Sequence, residues 1–234
     1  MNHQPSTISQ KLALMQLADS FFPSGAYTLS HGLESLIQQQ QVQQSQDLIS
    51  FLQILLHYKI ATCELVALLH AYRGSADDDL ENIIQADTQL FAQTLIAATR
   101  KTLQQTGRAL LMVSQSTWQH QHLITLERAQ ALKQFHCLHP IVFGVIGNIA
   151  GLSIIDTALA FLHGLVTGIL GAAIRLGILG HLQAQQILLQ LAPEIEAAYH
   201  TAMSLELEQM WSCTPTIDLA QMRHSQLNTR LFAS

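Results

Sequence analysis

Between Lys133 and Glu194 the chain carries only two charged side chains, Asp156 and Arg175. So long a stretch without charge cannot form an ordinary water-facing surface, because Asp, Glu, Lys and Arg are the usual occupants of that surface. It must cross a bilayer or be packed between other elements. Thr157 to Ile174 is an uncharged run of roughly 18 residues, the lower limit for a spanning helix. Gly164 and Gly168 form Gly-x-x-x-Gly, a spacing that lets membrane helices pack closely. Against a membrane span, the run holds His163, Thr157, Thr167 and Gly171, and it lacks flanking Trp, Tyr or Lys anchors. Helices buried in a core or at an interface between chains fit this composition better.

The apolar period elsewhere is helical. Leu48, Phe51, Leu52, Leu55, Tyr58, Leu65, Leu69 and Tyr72 recur every three or four residues and predict one long helix, ended by Gly74 and Ser75. Asp77, Asp78 and Asp79 suit the positive end of a following helix through Leu80, Ile83, Ile84, Phe91, Leu95 and Ala98. A further helix is expected over Arg100 to Ser116, with Gly107 a tolerated weak point. Gly144, Gly147 and Gly151 leave one helix face nearly bare within a set of three close-packed helices over residues 140 to 191. Pro193, with Glu194 and Glu196, starts a helix expected to run to about Trp211. Nothing alternates with period two, so no sheet is expected. The reading is all-α: a single compact multi-helix domain over residues 1–211, with a flexible C-terminal tail over 212–234.

The chain has 234 residues, is 49% apolar and 12% charged, and has a net charge of −5. Phosphate backbones are bound by clustered Lys and Arg, so this balance excludes nucleic acid as the expected partner. Cys63, Cys137 and Cys213 are too scattered for a disulfide framework. Residues 1 to 11 are polar and do not read as a signal peptide, so a cytoplasmic location is expected.

Chemistry is hard to find. There is no Gly-x-x-x-x-Gly-Lys-Ser/Thr to cradle a nucleotide. Twelve histidines are many, and His136, Cys137 and His139 gather three candidate ligands, with His120 and His122 nearby. A zinc site would need paired spacings that are missing, and neighbours on one helix point apart. His139 precedes Pro140 at a helix boundary, where it would serve backbone groups. Ser24, Ser30 and His31 have the residue types for nucleophilic catalysis without the strained elbow. No catalytic residue, no cofactor and no resident metal is expected. Asp156 and Arg175 either pair across antiparallel helices or meet a partner.

Two segments stand apart. Asp19 to Glu34 must turn at Pro23 and Gly25, yet it carries Phe21, Phe22 and Tyr27, which need something to pack on. Pro215 stops the preceding helix, and the tail beyond it alternates apolar anchors (Ile217, Leu219, Met222, Leu231, Phe232) with polar ones (Asp218, Arg223, His224, Arg230). It is too short to fold alone and too apolar for a plain disordered end. It either stays mobile until a partner orders it or packs back on its own helices.

These segments resemble a family. Leu-x-Asp-Ser-x-x-Pro-x-Gly followed by Ser-x-Gly-Leu-Glu near the start, His139-Pro140-Ile141-Val142-x-Gly144 in the middle, and Pro215-Thr216-Ile217-Asp218, Met222-x-His224 and Arg230-Leu231-Phe232-x-Ser234 at the end are similar to the motifs of the urease accessory protein UreF family. Ala26 stands where the family often has a second Gly.

The resemblance implies a helical, non-enzymatic homodimer. It would bind the UreD (UreH) scaffold and the GTPase UreG, and through them activate apo-urease by nickel insertion. It implies partner contacts at Pro23, Tyr27, Arg175, Asp218, His224, Arg230, Leu231 and Phe232. The self-association face would fall on Asp156, Ala160 and His163. Two other readings remain: a metal-dependent enzyme using the His-rich segment 120–139, and a small helical membrane protein.

Overall fold

The period from Leu48 to Tyr72 becomes one continuous helix, Ser45–Ala76, through the middle of the molecule. The structure is a computed structural model and describes residues 7–19, 22, 29–224 and 231–232. The described residues form α1 (Ile8–Ala18), α2 (Leu33–Gln38), α3 (Ser45–Leu55), α4 (Leu65–Ala76), α5 (Leu80–Gln93), α6 (Ala97–Trp118), α7 (Gln121–Ala131), α8 (His139–Ile149), α9 (Ile154–Arg175), α10 (His181–Gln190), α11 (Ala192–Met203) and α12 (Pro215–His224). No strand occurs among the described residues. A π-helical segment, Leu56–Glu64, joins α3 to α4 without a break.

α4 is the axis of the core. It packs against α5, α8, α9 and α11, and Leu65, Val66, Ala67, Leu68, Leu69 and Ala71 are all fully buried. α8 lies against it at backbone distance, since a Cβ on Gly144 would overlap the Leu68 carbonyl oxygen. Gly147 makes room in the same way for Thr157 of α9. Gly151 serves differently: it ends α8 with φ 74, a left-handed turn that glycine adopts without strain.

Several boundaries differ from the sequence expectation. The helix expected over 80–98 breaks at Thr94, whose hydroxyl donates to the Leu90 carbonyl at 2.8 Å, and α6 starts afresh at Ala97. The helix begun by Pro193 ends at Met203 rather than near Trp211. A single 3₁₀ turn, Leu207–Gln209, follows it. Gly107 is no weak point: a Cβ there would overlap the Cys137 carbonyl, so the glycine lets α6 touch the strap leading into α8. Gly164, by contrast, meets nothing within 4 Å among the described residues. In α1, Leu12 and Met15 are exposed and Leu17 is buried.

Two helices are long and apolar enough to cross a membrane, Ser45–Ala76 and Ile154–Arg175. In the first, 78% of the most apolar window is buried inside the fold, and in the second 56%. Their apolar surface is accounted for largely by packing.

Candidate partner-docking site

The described part of the tail is seated on its own body, the second of the two arrangements its composition allowed. α12 packs on α2 and α6. Gly32, with φ 87, lies under it: a Cβ there would come within 3.2 Å of Ala220, Gln221 and the Ile217 carbonyl. Ile217, Ala220, Gln221 and His224 are buried on this side.

The approach to α12 runs along the π-helical segment. The Trp211 N–H donates to the Thr62 carbonyl at 3.0 Å and the Cys213 N–H to the Tyr58 carbonyl at 2.9 Å. The Thr62 hydroxyl returns a bond to the Trp211 carbonyl at 2.7 Å. Lys59, on the same segment and buried, reaches Asp218 at 3.1 Å and Gln221 at 3.4 Å, while Thr99 of α6 donates to Gln221 at 3.0 Å. Widened helical turns of this kind often mark functional sites. Here the segment is the seat of the chain that leads into the tail.

The end of the tail converges on Glu34. This side chain, 1% exposed, sits in the first turn of α2. Its carboxylate meets His224 Nε2 at 2.9 Å and accepts the backbone N–H of Leu231 at 2.8 Å and of Phe232 at 3.3 Å. The Phe232 ring is buried, and the Arg175 guanidinium lies 4.4 Å from its centroid, a cation–π contact. Arg175 also donates to the Gly171 carbonyl at 3.2 Å. The beginning, the last turn of α9 and the end of the chain therefore meet at one patch.

Of the expected partner residues, Arg175, His224, Leu231 and Phe232 come together there. Leu231 is 70% exposed and Arg175 is exposed. Asp218, half-buried, bonds Lys59 and Thr214 at the start of α12. Pro23, Tyr27 and Arg230 lie outside the described residues. Asp156 and Arg175 do not pair, because they occupy opposite ends of α9. Asp156 is bound by Ser153, whose side chain caps the helix at 3.0 Å.

On the expected self-association face, His163 is exposed, Asp156 is half-buried and Ala160 is buried. The exposed ridge of α9 runs through Ile155, Leu159 and His163, four residues apart. On α1, which packs against α9, Ile8, Leu12 and Met15 are exposed too.

The histidines disperse. His136 stacks flat on Phe91, with ring centroids 3.7 Å apart, and Cys137 is buried, its thiol pushed up to about 12 by burial. The capping expected of His139 is done by Asp87, which accepts the N–H groups of His136 at 2.5 Å and Leu138 at 3.0 Å. His122 is held by Asp78 at 2.6 Å and Ser75 at 3.3 Å.

His139 instead packs between Phe143 and Phe161 and lines a cavity of about 710 Å³ with His31 and Glu64. Burial pushes His139 down to about 4, and burial with the Lys59 charge pushes His31 down to about 3. Glu64 is pushed up by burial. In all three, burial acts against the charged form. Among the described residues, no group of three or more His, Cys, Asp or Glu is placed to hold a metal ion.

The family model UreF matches residues 42–192. A urease accessory protein UreF of Trichodesmium erythraeum is 57% identical over 98% of this chain and 99% of its own length. The chain belongs to the UreF family of urease accessory proteins. UreF proteins of a Nostoc species and of Rhodopseudomonas palustris are each 30% identical, over 95% and 100% of this chain and of their own lengths. These are accessory proteins and not enzymes. A urease accessory role implies protein partners in urease maturation. The family model stops short of both segments that meet at Glu34, but the Rhodopseudomonas palustris relative, matched over 100% of this chain, extends across them.

Sequence reasoning missed Glu34, Lys59 and Gln221 as organisers of the site. Lys59 carried a signal, a lone cation in an otherwise apolar helical run. Glu34 stands in the sequence as the last residue of the Ser-x-Gly-Leu-Glu motif, and only the fold shows what its oxygens hold.

Proposed function

We propose that this chain bridges a UreD-type scaffold and the UreG GTPase during activation of apo-urease. The reading is supported chiefly by the convergence of Arg175, His224, Leu231 and Phe232 around Glu34, which joins two segments resembling the family's motifs. An exposed leucine and a guanidinium, set on a buried and hydrogen-bonded base, make an adhesive surface. The scaffold is the partner we assign to this patch. Nickel would be cargo of the assembly, with no resident cofactor on this chain. A cytoplasmic location and a nickel-insertion chaperone role belong to the same reading, as does a homodimer through the Ile155, Leu159 and His163 ridge.

The test is co-expression with the UreD-type and UreG proteins of the same urease system, followed by affinity capture and urease assay. The wild-type chain should form a defined complex and support activation, and Arg175→Ala should reduce both while leaving helicity intact. Wild-type chain that captures neither protein would overturn the proposal. Light scattering tests the dimer: a monomer at micromolar concentration would contradict it, and His163→Asp should weaken it by burying an unpaired charge.

A further inference from the structure

We propose that the outer ridge of α6 is a docking surface for an acidic protein face within the urease maturation assembly. This rests on the function proposed above and adds a second contact to it, apart from the patch at Glu34. Between Thr88 and Ile155 the chain places five of its 11 cations (Arg100, Lys101, Arg108, Arg128 and Lys133) and only one of its 16 carboxylates, Glu127. That is a balance of +4 in a chain of net −5, so the remainder carries −9. α6 holds three of the cations and no carboxylate over its 22 residues.

Lys101, Gln105, Arg108 and Met112 are exposed and, spaced four, three and four apart, share one face of the helix. Neither Lys101 nor Arg108 forms an ion pair or a side-chain hydrogen bond among the described residues. The face is mixed in character: Met112 is 66% exposed, and Leu132, beside Lys133, is 69% exposed. Gly107 draws the two sequence regions together, because the Cys137 carbonyl sits where its Cβ would be. Lys133 stands four residues before Cys137, within about 14 Å of that contact.

Cations without partners, interleaved with exposed apolar side chains, fit a protein interface, where Arg and Met are enriched. A phosphate backbone would leave Met112 and Leu132 without a role. The ridge of α6 carries one large apolar side chain, too few to enter a bilayer. Charge complementarity then makes the partner's face acidic. The cations also cost the helix something. Arg100 and Lys101 lie near its N-terminus, where the dipole favours anions; its N-cap, Ile96, makes no side-chain bond and its first turn has no acid. A local rule broken without a structural return is the mark of a functional position.

The test uses the full chain with Lys101→Glu and Arg108→Glu together, and a charge-keeping pair, Lys101→Arg with Arg108→Lys. Association is followed with a reconstituted mixture of the UreD-type protein, UreG and apo-urease of the same system. The charge-reversed chain should associate about tenfold more slowly at about 50 mM salt. Wild type should slow steeply toward about 300 mM salt while the charge-reversed chain does not. The charge-keeping pair should behave as wild type. The melting temperature of the charge-reversed chain should match or exceed that of wild type, since a Glu at position 101 suits the dipole.

Unchanged association of the charge-reversed chain would overturn the inference. So would an equal loss in the charge-keeping pair, since the side chains would then act by shape and not by charge. Vesicles of equal parts phosphatidylserine and phosphatidylcholine, and duplex DNA, are the control probes: charge-dependent binding to either, with assembly unaffected, would also refute it. A wild-type chain that captures none of the three proteins overturns the bridging function and this contact with it, whereas wild-type capture with an indifferent charge-reversed chain overturns only the part given to α6.

Discussion

The α4–α8 contact and the Glu34 seat are built on opposite principles. In the first, backbones touch because Gly144 has no side chain, and the surrounding side chains are largely aliphatic and buried. In the second, polar groups meeting specific polar groups are added to a smaller apolar contact: Glu34 with His224, Lys59 with Asp218, Thr99 with Gln221. Apolar packing is non-directional and tolerates small repacking, but it fails when volume is added where nothing can move. Polar seating is directional and fails one group at a time. The core can therefore carry global stability while the tail's position is set separately.

The largest effect should come from forcing volume into the core side of this comparison. Gly107→Val sets a branched side chain against the Cys137 carbonyl and should cost more than about 3 kcal/mol. The melting temperature should fall by roughly 10 °C, and a smaller drop would show that the strap before α8 can yield.

Asp87 is a polar anchor inside the core. Asp87→Ala orphans the N–H groups of His136 and Leu138 and should cost about 3 kcal/mol in urea unfolding at pH 7. An effect below about 1 kcal/mol would mean that water replaces the carboxylate.

His139 sharpens the comparison through pH. Its ordinary value of 6.5 is pushed down to about 4 in the fold by burial. Between those values the unfolded chain binds the proton and the folded chain does not. Its contribution is therefore complete above about pH 6.5 and is lost as pH falls toward 4. The loss amounts to about 3 kcal/mol. His139→Phe keeps a ring beside Phe143 and Phe161, and relative to wild type it should gain about that much on going from pH 7 to pH 4. Parallel stability curves for the two proteins would refute this.

On the tail side the effects shrink. Asp218→Ala removes the 3.1 Å partner of buried Lys59 and should cost about 2 kcal/mol, read first as faster exchange in α12. Phe232→Ala should shift the melting temperature by less than about 2 °C, because the segment can leave its seat before the core opens. A shift as large as that of Gly107→Val would erase the distinction between the two regions.

Much of the fold was legible residue by residue. The 3.6-residue period from Leu48 to Tyr72 gave the central helix, the Gly144–Gly147 spacing gave a close helix contact, and Pro193 gave a helix start. These are local signals, written in propensity, capping and period. The break at Thr94, the early end at Met203 and the π-helical segment were not legible. The π-helical segment serves distant residues, since the Tyr58 and Thr62 carbonyls accept from Cys213 and Trp211, and beside the break at Thr94 the Gln93 side chain donates to the Met210 carbonyl. The site was half legible. Its residue types stood out at both ends of the chain, but the carboxylate holding them together looked like an ordinary first-turn Glu.

The sequence by itself determined that the chain is helical and poor in charge, that its small residues mark close approach, and that its family is that of the urease accessory protein UreF. Periodicity and motif identity are properties of neighbours along the chain. Only the tertiary structure decided that Asp156 and Arg175 stand apart at the two ends of one helix, that His139 packs among phenylalanines rather than capping a backbone, and that Glu34 receives His224, Leu231 and Phe232. Those assignments follow from which surfaces meet when the helices pack. Contacts across some 190 residues of chain are fixed by burial and by the need of every buried donor for an acceptor.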